Sequence, residues 1–259
     1  MLPLQAWPVD ARRRIRGVFT DIDDTLTTDG AITADALQAL ADLQAAGLVV
    51  IPITGRPMGW SEPFARSWPV AAIVPENGAM ALLPDGRTLY VQDEATRARN
   101  AGRLRQVAQR VLREVPGATL ARDSAGRVTD IAIDHGEFAH LPPERIEQVV
   151  ALMRSEGMVA TVSSIHVNGW FGSHDKLSGA RWIVRELYGR DLDAEIDQWV
   201  YVGDSTNDQR MFEHFPHSVG VANITRFLPQ LQHRPAYVTQ GERGAGFAEV
   251  ARALLAARG

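Results

Sequence analysis

The chain has no cysteine among its 259 residues. That excludes disulfides, thiolate zinc sites, iron–sulfur clusters and a catalytic thiol, and it permits a reducing compartment. It also lacks any apolar run near the roughly 20 residues that cross a bilayer; the longest, such as Leu48 to Ile53, fall far short. No signal peptide is read, because the weak apolar start Leu2 to Trp7 precedes the arginines at positions 12, 13, 14 and 16 instead of following them. Those arginines are the one basic run, and at a formal net charge of -4 there is no electrostatic footprint for nucleic acid. Internal repeats and low-complexity tracts are missing too. A cytoplasmic protein is expected, a monomer or small homo-oligomer, with neither nucleic acid nor membrane as a partner.

What remains is ordinary globular composition, 45% hydrophobic and 22% charged. The length exceeds an average domain of about 150 residues, which suits one domain carrying an insertion. Gly17 to Asp21 and Gly47 to Thr54 read as short buried strands. Between them Thr33 can cap a helix whose Ala36, Leu37, Leu40 and Leu43 recur at helical spacing, with Gly47 as its stop. The same strand and helix rhythm returns after residue 175: a helix marked by Leu177, Ala180, Val184 and Leu187, the strand Trp199 to Val202, a strand Val219 to Ala222, and a last helix from about Ala245 to Ala257. Such alternation predicts an α/β fold with a doubly wound, mostly parallel, Rossmann-like sheet.

The middle of the chain differs. Glu76 to Tyr90 has a hairpin signal around Pro84, Asp85 and Gly86. Residues 91–175 follow with a polar helix Glu94 to Glu114, strands near 118–121 and 128–133, a helix from Pro143 to Glu156 and strands near 159–167. This reads as an α+β insertion, so the expected division is a core of residues 1–90 and 176–259 and an inserted unit of 91–175.

The sharpest chemical feature is Asp21-Ile22-Asp23-Asp24-Thr25-Leu26 at the end of the first buried strand. In α/β sheets ligands bind in the crevice at the carboxyl ends of the strands. Acids crowded there repel one another unless a cation joins them, and hard oxygen ligands suit magnesium beside a phosphate. Thr54 closes the second strand in ITGRP, offering a hydroxyl and the amides of Thr54 and Gly55 to a phosphoryl oxygen. Lys176 stands just before the returning helix, where its charge can face a transferring phosphoryl group. Gly203-Asp204-Ser205-Thr206-Asn207-Asp208 follows the strand Trp199 to Val202 and adds two acids and an amide.

In order and spacing these four stretches resemble the four motifs of the haloacid dehalogenase superfamily of phosphotransferases. The insertion is similar to the α+β cap, of the C2B type, in subfamily IIB, the branch of Cof-type, sucrose-phosphate, trehalose-phosphate and mannosylphosphoglycerate phosphatases. The resemblance implies a phosphatase acting through an aspartyl phosphate on a small phosphorylated metabolite, most often a sugar phosphate, with Mg2+ as cofactor. It implies Asp21 as nucleophile and metal ligand, and Asp23 as acid/base with its carbonyl on the metal. Thr54, Gly55, Lys176 and Asn207 would hold phosphate, with Asp204 and Asp208 at the metal.

Specificity is expected from the insertion. His166, Asn168 and Trp170 alternate along a strand-like stretch, so their side chains can share a face suited to a sugar ring. Arg56 and Trp60, just after Thr54, can line the entrance. Two alternatives stay open: a sugar phosphomutase and a sugar-phosphate-binding module without turnover. A receiver-type phospho-acceptor is disfavoured by length, since such domains are shorter and carry no cap.

Overall fold

The computed structural model describes residues 1–259. Its largest sheet has six strands, all parallel, in the order Val49–Pro52, Gly17–Thr20, Trp199–Gly203, Ser218–Gly220, Tyr237–Val238, Leu2–Pro3. Side-chain alternation explains why both faces are covered. Val18, Val50, Val200 and Val202 pack on one face against Leu40 and Leu43 of the helix Ala34–Ala45 and Phe247 and Leu254 of the helix Arg243–Ala256. Phe19, Ile51, Trp199 and Tyr201 pack on the other, against Ala180, Ile183 and Val184 of the helix Lys176–Tyr188. Each large apolar side chain buried this way contributes about 1.5–3 kcal/mol. The indole of Trp199 stacks on Phe19 at 4.8 Å.

The N-terminal edge strand Leu2–Pro3, pairing with Tyr237–Val238, has no counterpart in the sequence reading, because two residues carry no periodicity. Thr33 stands at the helix N-cap but its side chain makes no capping bond; the Ala36 amide goes to Asp35 instead. Leu37, expected in the core, is exposed.

A second, four-stranded antiparallel sheet lies within residues 91–175, in the order Val159–Val162, His166–Trp170, Asp130–Asp134, Thr119–Leu120. Ile131, Ile133 and Val167 face the helices Glu94–Glu114 and Pro143–Ser155 and form their own apolar core with Val111, Val149 and Met153. The opposite face, with Asp130, His166 and Asn168, is polar and lies against the core. Aspartates cap the helix on either side of this unit: Asp93 accepts the Thr96 amide, and Asp175 accepts the Ser178 amide at 2.8 Å while Ser178 Oγ takes the Asp175 amide. No helix is long and apolar enough to cross a membrane.

Candidate active site

The chain passes from Gly17–Thr20 to Val49–Pro52 on one side and returns to Trp199–Gly203 on the other, so the strand order switches at Gly17–Thr20. A crevice opens at the carboxyl ends of strands around such a switch. Asp21 and Asp204 stand there at the ends of adjacent strands, and Asp208 joins them from the turn Thr206–Asp208. Oxygens of the three carboxylates lie within 4.8 Å of one another.

Lys176 enters from the other side. The Asp175 cap fixes the start of its helix, so Lys176 occupies the first helical position, with Nζ 2.5 Å from Asp21 Oδ1 and 2.7 Å from Asp208 Oδ1. Both oxygens of Asp208 are taken up: Oδ1 by Lys176 and the Tyr201 hydroxyl, Oδ2 by the amides of Asp204 and Ser205 at 3.0 and 3.1 Å. This back-bonding requires glycine at 203, where a Cβ would lie 2.5 Å from Asp208 Oδ2. Asp208, expected at the metal, stands in the carboxylate group that could hold one and also orients Lys176 and the motif backbone. Asp204 is different: Oδ2 accepts Asn223 Nδ2 at 3.3 Å, and Oδ1 is buried without a partner.

Electrostatics follow from that geometry. Burial pushes Asp21 up to about 8 in spite of Lys176, with Asp208 and Asp23 adding like charge. Burial, then Asp21 and Asp208, push Asp204 well above the carboxylate range. Burial opposes the charge of Lys176, yet Asp208 and Asp21 outweigh it and its pKa is raised. Three acids against one lysine leave the crevice short of positive charge, and an orphaned carboxylate oxygen points to where it is missing. An all-oxygen donor set of this kind fits a hard divalent cation.

Thr54, fully buried, accepts the Arg56 amide at its hydroxyl, and its own N–H goes to the Val74 carbonyl. The expectation that this N–H meets phosphate is thus corrected; the hydroxyl and the Gly55 amide remain. Glu76 and Asn77 both adopt left-handed backbone, at φ 48° and 55°, uncommon for Glu and better tolerated by Asn. The turn leaves Asn77 Nδ2 buried and unpartnered, and Asn77 lines a cavity of about 370 Å³ with Lys176, Asn207 and Trp170. Sequence reasoning missed Asn77; the signal was the Glu-Asn-Gly turn after an apolar run. A second cavity, about 580 Å³ and mostly polar, is lined by Asp23, Asp24, Arg56, Glu137 and Arg243. The two-residue Asp29-Gly30 turn, both with positive φ, brings a small hairpin over it.

The residues expected to select the sugar are partly redirected. His166, Asn168 and Trp170 do share one face, but that face is buried. His166 Nε2 is 3.0 Å from Glu137, Asn168 Nδ2 donates to the Gly55 carbonyl and to Asp130, and Trp170 Nε1 donates to the His174 carbonyl. Of the three, Trp170 borders the cavity beside Lys176 and Asn77, and His166 and Asn168 line neither of the two cavities described. Trp60 lines neither cavity; it packs on Phe64 beneath the Arg56 guanidinium.

A sequence model of the haloacid dehalogenase-like hydrolases matches residues 18–100, the stretch that carries Asp21, Asp23 and Thr54. That stretch of the chain resembles the family. The fold agrees over nearly its whole length with solved structures. Protein 0175 of Thermoplasma acidophilum superposes with a TM-score of 0.72 at 19% identity, covering 93% of this chain and 98% of its own. A HAD/COF-like hydrolase of Plasmodium vivax gives 0.70 at 18%, covering 96% and 99%. The sucrose-phosphatase of Synechocystis, in complex with sucrose and phosphate, gives 0.67 at 16%, covering 93% and 98%. No curated protein matches the sequence. The four-stranded unit within residues 91–175 packs against the carboxyl-end side of the main sheet, with Glu76 accepting the Val128 and Thr129 amides, Asn168 donating to the Gly55 carbonyl and Thr206 to the Val162 carbonyl.

Proposed function

We propose that this protein is a magnesium-dependent phosphatase of a small phosphorylated metabolite, with a sugar phosphate as the favoured substrate class. The observation that carries the reading is the buried trio Asp21, Asp204 and Lys176 at one switch point, with the second oxygen of Asp204 unpartnered. Asp21 and Asp204, with the carbonyl of Asp23, would hold magnesium, whose charge when bound offsets that of the phosphoryl oxygens.

Asp21 attacks phosphorus in line, forming an acyl phosphate, while Asp23 gives its proton to the departing alkoxide. Asp23 then takes a proton from the water that cleaves the acyl phosphate. Lys176, the Thr54 hydroxyl, the Gly55 amide and Asn207 bind the phosphoryl oxygens; Asp208 keeps Lys176 aimed at them. Because the transition state is loose and highly charged, positioning and charge compensation supply most of the acceleration. We assign residues 1–90 and 176–259 to catalysis and 91–175 to substrate choice. A polar cavity beside Asp23 suits a polyhydroxylated leaving group, and the likeness to a structure holding sucrose and phosphate supports the same class. A cysteine-free chain fits a cytoplasmic setting.

The test is phosphate release from a panel of phosphorylated sugars, glycolytic acids and nucleotides, with magnesium and with chelator, beside Asp21→Asn as blank. Release that survives chelation or Asp21→Asn sinks the mechanism. Isomerised sugar phosphate without free phosphate replaces it with a mutase.

A further inference from the structure

Beyond the phosphoryl site, one arginine joins the two halves of the molecule. The Arg56 guanidinium is almost fully buried, and its donors are divided among three carboxylates. Nε–H donates to Asp23 Oδ1 at 2.8 Å, Nη1 to Asp123 Oδ2 at 3.2 Å and Glu137 Oε2 at 3.3 Å, and Nη2 to Glu137 Oε1 at 2.8 Å. The Trp60 ring lies 5.1 Å from its centre. Asp23 belongs to the core; Asp123 and Glu137 belong to the cap.

Both cap carboxylates are themselves held. Glu137 meets His166 Nε2, and its loop is tied by Asp134, whose two oxygens accept the amides of residues 136–139. Asp123 is shared with Arg127, whose Nη1 also reaches the Gly55 carbonyl beside Arg56. A planar fork gripped at both ends has one orientation.

We infer that Arg56 is a positioning residue for Asp23, and that Glu137 and Asp123 hold Arg56 in place, so that the acid/base is aimed only while the cap is docked. The inference rests on the phosphatase reading. Arg56 occupies Oδ1 of Asp23, and no group of the chain bonds Oδ2. The proton that passes to the leaving oxygen as its bond to phosphorus breaks is therefore carried on Oδ2, at an angle fixed by the cap. A loosened Arg56 lets the Asp23 carboxyl rotate, and misplacement of a proton donor by about 1 Å costs on the order of 100-fold.

The experiment compares single-turnover transfer to Asp21 from two monoesters: the best alkyl phosphate of the panel, whose alkoxide needs the proton, and p-nitrophenyl phosphate, whose phenolate leaves without it. Glu137→Gln is expected to slow transfer from the alkyl ester by about 100-fold and from the aryl ester by no more than about threefold. Asp123→Asn, the milder variant, shifts the ratio in the same direction. Glu76→Gln, which weakens the hold on the cap amides of Val128 and Thr129 but leaves the ion pairs of the Arg56 guanidinium in place, is expected to slow the alkyl ester more than the aryl ester, by less than Glu137→Gln does. Equal slowing of both esters by Glu137→Gln, or of neither, overturns the inference and leaves the phosphatase intact. An unmodified protein that transfers from neither ester overturns the phosphatase reading itself.

Discussion

In the crevice, Asp21, Asp204 and Asp208 share a single lysine. In the seam beneath the cap, Asp23, Asp123, Asp130 and Glu137 share two arginines, Arg56 and Arg127, together with His166 and Asn168. Both regions are rich in carboxylates, yet the crevice sets three acids against one cationic side chain, whereas the seam sets four against two arginines. Buried charge without compensation is costly, so a fold keeps it only where something else supplies the missing charge. The crevice is built for a guest, the seam for itself.

That contrast can be broken by measurement. The largest effect belongs to Asp21→Asn, expected to lower turnover by about 10⁴-fold or more, since nothing else in the crevice is placed to attack phosphorus. Turnover within tenfold of the unmodified protein would move the nucleophile elsewhere.

Magnesium itself should stabilise the fold: at about 100 times its dissociation constant it adds about 2.7 kcal/mol, seen as a rise in Tm by calorimetry. Asp204→Asn is expected to abolish that rise without destabilising the metal-free protein, because it removes a carboxylate whose Oδ1 had no partner. An undiminished magnesium shift in this variant would place the cation away from Asp204.

Glu76→Gln probes the seam in the opposite sense. Its carboxylate accepts the amides of Met58, Val128 and Thr129 and the Thr129 hydroxyl, so an NH₂ group there faces donors and should cost about 1–3 kcal/mol. Denaturation that leaves stability unchanged would show the seam to be less committed than its bonds suggest.

The smallest effect is a pH slope. Burial works against the charge of Glu137, but hydrogen bonds from His166 and Arg56 prevail and hold it at about 2, against 4.5 ordinarily. With a depressed folded value, its stabilising share is present above pH 4.5 and is lost as pH falls from 4.5 towards 2. Glu137→Gln should flatten that limb of a plot of Tm against pH; an unaltered limb would assign the acid sensitivity to other carboxylates.

Much of the crevice was legible in the sequence because strand ends announce themselves. An apolar run that stops at Asp21, Thr54 or Asp204 gives both the strand and the edge on which its last side chain stands. Lys176 was legible through the helix behind it. The seam was not, because its partners come from turns with no periodic signature: Asp123 and Glu137 carry no local signal of burial, and only tertiary structure shows Arg56 and Arg127 opposite them. The alternation of His166, Asn168 and Trp170 gave the correct shared face but not what that face meets, which proves to be the Gly55 carbonyl and Glu137. Arg243, at φ 55° and paired with Asp24 and Asp29, belongs to the same class of late arrivals.

The order of the central sheet also constrains how the chain is made. The strand Gly17–Thr20 has Val49–Pro52 on one flank early, but its other flank waits for Trp199–Gly203. At ribosomal speeds of about 5–20 residues per second, that edge stays open for roughly 10–40 s, while the residues now forming the cap emerge and acquire a core of their own. The nascent chain thus carries a finished lid before it has a complete vessel, and its exposed parallel edge during that interval is where a chaperone would find it.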